Sequence, residues 1–164
     1  MKRRVLSILC SMVLLGSTLI GNCINASATE TEKIIEGSRL TTDEKSVGFS
    51  TDGLARGEHL MTGECSISKA GTKRIYTYGA TTANHTVDYL AVIVYVDQYN
   101  EETERWEQID AWAKRGNDDY FICTSKSITV DRGYYYRVHA DHLVEKDGVD
   151  EETYSTTNGI LVPK

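Results

Sequence analysis

From about Arg56 onward apolar residues recur at every second position, and short polar clusters interrupt the alternation. The strongest stretch runs from Thr86 to Tyr99. Its even positions, Leu90, Val92, Val94 and Val96, make an aliphatic face; its odd positions, Val87, Tyr89, Ala91, Ile93, Tyr95 and Tyr99, make a mixed one. Similar runs cover His59 to Lys69, Lys73 to Thr81, Arg105 to Ala113, Tyr120 to Val130, Tyr134 to Leu143 and Thr153 to Val162. Between them stand the turn signals Ala70-Gly71, Asn100-Glu101-Glu102, Gly116 to Asp119, Asp131-Arg132-Gly133 and Asp147-Gly148. No stretch after the N-terminal region carries a capped helical period, and Pro163 follows the last run. The pattern predicts an all-β domain: an antiparallel β-sandwich of seven to eight strands.

The N-terminus reads differently. Lys2, Arg3 and Arg4 precede an uncharged apolar stretch from Val5 to Ile20, and Ala26-Ser27-Ala28 supplies the small-residue cleavage pattern of a signal peptide. A membrane anchor fits less well. Ser7, Ser11, Gly16, Ser17 and Thr18 interrupt a stretch shorter than the roughly 20 apolar residues of a span. Acylation at Cys23 is disfavoured by Asn22 before it. The predicted organisation is a signal peptide over 1–28, a polar and largely flexible leader over 29–55, and a β-sandwich domain over 56–163. Export to the extracellular space is the predicted localisation, with no membrane span after cleavage.

Cleavage removes three of the 18 basic residues and none of the 24 acidic ones, leaving 15 against 24, a formal charge of −9. That balance argues against nucleic acid as a partner, since no basic footprint is visible. Two of the four cysteines, Cys10 and Cys23, lie in the signal. Cys65 and Cys123 remain as a candidate disulfide, worth about 4 kcal/mol by chain entropy. The alternative is two separate buried thiols.

The segment Val130-Asp131-Arg132-Gly133-Tyr134-Tyr135-Tyr136-Arg137-Val138-His139-Ala140 resembles the corner that leads into the penultimate strand of immunoglobulin-like and fibronectin-III domains, with Tyr136 as the corner tyrosine. The chain also resembles a group of small secreted proteins of Gram-positive bacteria that carry a domain of unknown function. That resemblance rests on Thr81-Thr82-Ala83, Val92 to Val96, Trp106, Arg132 to Val138, His142, Asp147-Gly148, Glu152 and Asn158-Gly159-Ile160. It implies an exported β-sandwich and brings no catalytic residues with it.

Catalytic and metal patterns are thin. His139-Ala140-Asp141-His142 is an H-x-x-H, but on a strand those two side chains point to opposite faces. His142 is read instead as a hydrogen-bonding residue that ends its strand, and His139 as a half-exposed surface position. Cys123 has no adjacent His, and no G-x-S-x-G occurs. Glu101-Glu102 and Asp118-Asp119 read as solvated turn charges, and Asp147, Asp150, Glu151 and Glu152 match no calcium loop. No catalytic residue, metal or cofactor is predicted.

A surface is the better candidate. All ten tyrosines fall outside the signal. If the Leu90 to Val96 ladder faces inward, Tyr89, Ile93 and Tyr95 face out. By the same parity Tyr136 and Val138 point in, and Tyr135, Arg137 and His139 point out. On neighbouring strands these residues would form one aromatic and polar platform. Trp106 and Trp112 share a parity and border it, although Ile109 and Ala111 compete for the inward direction. The expected function is a secreted, non-enzymatic module that binds an extracellular glycan or surface protein through this face. The alternative is a structural, self-associating matrix protein that uses its sheet edges, and a small hydrolase ranks third.

Overall fold

The computed structural model describes residues 33–50 and 57–164, so the predicted signal peptide and parts of the predicted leader lie outside the described residues. Among the described residues there are nine strands: β1 (Ile34–Ile35), β2 (Ser38–Thr41), β3 (Lys45–Phe49), β4 (Leu60–Gly71), β5 (Arg74–Asn100), β6 (Arg105–Thr129), β7 (Tyr134–Lys146), β8 (Val149–Thr156) and β9 (Gly159–Val162). They form a single mixed sheet curled into a half-barrel. The protein is all-β, as the alternation predicts. It differs from the expected sandwich of two antiparallel sheets, because the strands are continuous through one sheet and β2 pairs with β9 in parallel.

The curl comes from the long β5–β6 ribbon. The sequence predicts separate strands broken near Thr81 and again at Gly116 to Asp119. Instead both strands run on through a corner. Pairing slips between Thr82 and Val87, and Asp118 takes a left-handed φ of 54°. Residues 83–86 have no partner on β6 and pairing resumes at Val87↔Asp119, so the strand bends at the irregularity without leaving the sheet. The irregularity also changes the inward parity of β5. Ile75, Thr77, Gly79 and Thr81 point into the half-barrel before the corner; Leu90, Val92, Val94 and Val96 do so after it. The two halves of β5 then face each other. A Cβ placed on Gly79 would sit 2.6 Å from Cγ2 of Val94, so only the absence of a side chain lets the halves close.

Along its other edge β5 is flanked first by β4 and then by β7, which pairs from Tyr89↔Glu145 to Gln98↔Tyr136. The core between the halves contains Ile67, Ile75, Leu90, Val92, Val94, Val96, Val138, Val144, Ile160 and Val162, all essentially inaccessible. Each such aliphatic side chain contributes about 1.5–3 kcal/mol of burial. The turn signals at Asp131 to Gly133 and Asp147-Gly148 fall between strands; Ala70-Gly71 ends β4, with its turn at residues 72–73, and Asn100 ends β5, with its turn at residues 101–104. Asp147 and Gly148 both have positive φ, 51° and 77°, as a tight two-residue hairpin demands.

The N-terminal leader is the largest departure. Residues expected to be largely flexible supply β1, β2 and β3. Small hydroxyls fasten them: Ser38 Oγ donates to the Thr157 carbonyl at 2.7 Å, and Thr41 Oγ1 to the Gly159 carbonyl at 3.0 Å. Ser38, Thr41 and Ser46 are buried, so this inward face is polar and invisible to a search for apolar alternation.

Tyr136, the expected corner tyrosine, is the third residue of β7. Its ring is fully buried, and its hydroxyl donates to the carbonyl of Asp131, five residues upstream, at 3.0 Å. Burial, with the nearby Asp131 charge, pushes this phenol up to about 12. Replacing Tyr136 with Phe keeps the packing and removes the bond. The urea midpoint should fall by the equivalent of about 1 kcal/mol with an unchanged slope. An unchanged midpoint would show that the corner bond adds nothing.

Candidate binding face

The outer surface of β6, β5, β7 and β8 is assembled by strand register. Ala111, Tyr95, His139 and Thr156 stand opposite one another in one row, and Ala113, Ile93, Asp141 and Tyr154 in the next. Arg115, Ala91, Leu143 and Glu152 make a third row, and Asn117, Tyr89, Glu145 and Asp150 a fourth. Directly opposed residues project to the same face, so the inward Leu90 to Val96 ladder turns every one of these outward. Tyr89, Ile93, Tyr95 and His139 therefore do share a face. Their side chains are half-buried, not fully exposed.

At the centre, the Tyr95 and His139 rings stack with centroids 4.6 Å apart and planes within 12°. The Tyr95 hydroxyl donates to Asp141 Oδ2 at 2.9 Å. Burial and that carboxylate together hold the phenol above its ordinary value. His139 Nδ1 lies 3.1 Å from Asp97 Oδ2, the oxygen to which Arg137 Nε donates at 2.8 Å. Burial alone would raise the Asp97 pKa, but the hydrogen bonds from His139 and Arg137 outweigh it and hold the carboxyl below the usual range.

The predicted platform does not stay whole. Arg137 and Trp106 share the outward direction, yet both are buried beneath the β1–β2 segment. Arg137 donates to the Glu36 carbonyl, Ser38 Oγ and Glu36 Oε2, each within 3.3 Å. Its guanidinium lies 4.6 Å from the centroid of the Trp106 ring, and the indole donates to the Ile35 carbonyl at 3.0 Å. The reading of Arg137 and Trp106 as binding residues is corrected accordingly: the leader covers them, and they hold it down. Trp112 is corrected for another reason. It pairs with Val94, which places it on the inward side, where its indole donates to Thr124 Oγ1 at 3.1 Å. Tyr135 pairs with Leu161 of β9, beyond the four rows, and is half-buried there.

His142 is also corrected. It does not end a strand; it sits in the middle of β7, wholly buried and facing the core. Thr81 Oγ1 donates its single proton to the Ala91 carbonyl at 2.7 Å, so the 3.0 Å contact between Thr81 Oγ1 and Nδ1 needs the proton on Nδ1. Nε2 then accepts from Ser155 Oγ at 2.8 Å. Both ring nitrogens are satisfied by a neutral imidazole, and burial lowers its pKa to about 4. Gly63 lies against the ring, and a Cβ there would overlap it. His139 and His142 point to opposite faces.

The cysteine pairing fails on register. Cys65 pairs with Gly79 and faces inward, whereas Cys123 pairs with Ala80 and faces outward, with β5 between them. Both thiols are free. Burial pushes the Cys65 thiol up to about 12. In the acidic segment near the β7–β8 turn, the Glu151 carboxylate accepts the backbone N–H groups of His59 and Leu60, which ties β8 to the start of β4.

Sequence reasoning missed Leu143, Asp141 and Tyr154, the last of these 55% exposed. Tyr154 carried one usable signal: it alternates with Thr153 and Ser155, both buried. The hydroxyl identity of those neighbours hid the alternation.

No curated protein matches the chain. A family model described as a family of unknown function, DUF6147, matches residues 28–160, from the predicted cleavage site almost to the end of β9. With most of its length matched, the chain belongs to that family of unknown function.

Proposed function

We propose that this protein is a secreted, non-enzymatic binding module that docks an extracellular protein through the open part of the β6–β5–β7–β8 face. One observation carries the reading. Tyr89, Ile93, Tyr95, Leu143 and Tyr154 are set on the three hydrogen-bonded strands β5, β7 and β8, with Arg115 of β6, Glu145 and Glu152 around them. A rigid sheet presents such side chains at little entropic cost, and aromatic anchors inside a charged rim are the usual anatomy of a protein interface. A flat sugar ring needs an open aromatic face, but His139 covers one face of Tyr95. That favours a protein surface over a glycan. Export is supported by the ordered signal features and by a family match that starts at residue 28.

The test compares the wild type with an Ile93→Asp/Tyr154→Ala double variant, both immobilised and presented with cell-envelope protein fractions and with a glycan array. The expected result is a saturable envelope-protein ligand whose affinity falls at least about tenfold in the variant, while melting is little changed. Equal binding by the variant, or binding to glycans alone, would overturn the proposal.

A further inference from the structure

The open edge of β6 offers a second surface, independent of the face just described. β6 pairs only with β5 among the described residues, which leaves a full row of backbone donors and acceptors along its other side. Such an edge is a template for another strand. Two irregularities bound its flat part. The slip between Val96 and Asp97 leaves Ile109 as an extra residue at one end, and left-handed Asp118 breaks the other. Between them, Asp110 to Asn117 runs in unbroken register with β5.

We infer that this edge is a homodimer interface, formed by antiparallel pairing of Asp110–Lys114 with the same segment of a second copy about a two-fold axis at Trp112. The occupant follows from symmetry and charge. Opposed residues of paired strands project to one face, so the axis of a symmetric antiparallel pair must pass through a residue. With Trp112 on the axis, Asp110 of each copy stands opposite Lys114 of the other, two opposite-charge pairs within the regular stretch. An axis at Lys114 sets Lys114 against its own copy, and an axis at Asp110 sets Asp110 against its own copy. Both are like-charge contacts. Lys114 is exposed and makes no ion pair among the described residues, while Asp110 engages Lys126 at 2.6 Å through Oδ2 and keeps Oδ1 for a second partner. The charges that would blunt the edge in other registers become complementary in this one.

Sedimentation equilibrium of the secreted chain over a wide concentration range tests this. The wild type should dimerise. Lys114→Asp, which opposes two carboxylates across the axis, should weaken the dimer at least about tenfold, and the Asp110→Lys/Lys114→Asp exchange should restore it. Hydrogen exchange supplies a readout without mutation: amides within Asp110–Lys114 should gain protection as concentration rises. The Ile93→Asp/Tyr154→Ala variant should dimerise normally, which separates this edge from the binding face. A wild type that stays monomeric, or a Lys114→Asp variant that dimerises as well as wild type, would overturn the inference.

Discussion

Acidifying this protein from pH 6.5 to pH 4 should cost it about 3 kcal/mol of stability through His142 alone. The folded chain holds the imidazole neutral, with a pKa lowered to about 4 by burial, whereas the unfolded chain titrates near 6.5. Between those values the unfolded state binds the extra proton, so stability rises with pH across the window and levels off above it. Protonation would add a hydrogen to Nε2, which already accepts from Ser155, and would place a charge among Thr81, Ser155 and the Gly63 backbone. Among the described residues the ring's side-chain hydrogen-bond partners are Thr81 and Ser155, neither of them acidic. Urea denaturation at pH 7, 6, 5 and 4 measures the slope. A His142→Gln variant should be less stable at pH 7 yet lose most of the decline. If wild type and variant decline in parallel, the buried imidazole is not the cause.

The second large effect belongs to Asp97. Asp97→Ala removes the carboxylate that Arg137 Nε and His139 Nδ1 share, and leaves the Arg137 guanidinium buried with the exposed Glu36 as its one remaining acidic partner among the described residues. Breaking a buried pair from one side costs about 3–5 kcal/mol, because the remaining charge keeps its desolvation penalty. Glu36 and the contact with Trp106 place this case at the lower end, about 3 kcal/mol. The damage should also be local. Arg137 holds the turn between β1 and β2, so native-state hydrogen exchange near Glu36–Arg39 should quicken before that of β5. Asp97→Asn, which preserves shape and one acceptor, should cost less. The pair also sharpens acid sensitivity. The Asp97 carboxyl is held below its ordinary range, so its contribution is present above that range and is lost as pH falls through the folded value, below the window in which His142 acts. A stable Asp97→Ala protein with unchanged exchange would mean that the leader is held mainly by Ser38 and Thr41.

The alternation of Leu90, Val92, Val94 and Val96 was enough to identify a strand, its buried side and the outward direction of Tyr89, Ile93 and Tyr95. Strand periodicity is local and its phase is set by side-chain chemistry. The same parity placed Tyr136 and Val138 inside. It could not follow Thr81 to Leu90, because the bulge moves the inward positions from odd to even without any break in composition. It also could not find β1–β3, whose buried residues are Ser38, Thr41, Ser46 and Gly48. Ser38 and Thr41 are buried against the carbonyls of Thr157 and Gly159, and Ser46 accepts the backbone N–H of Asn158, all more than a hundred residues away in the chain.

The amino-acid sequence by itself therefore determined the strand class, the turn positions at Asp131-Arg132-Gly133 and Asp147-Gly148, and the inward ladder of β5. Only the tertiary structure decided that one sheet curls over itself, that the leader covers Trp106 and Arg137, that Cys65 and Cys123 lie on opposite faces, and that Tyr154 joins the exposed patch. The division has a physical cause. Which way a side chain points along a strand is written in its nearest neighbours, whereas what lies above it depends on which distant strand the hydrogen-bond register brings alongside.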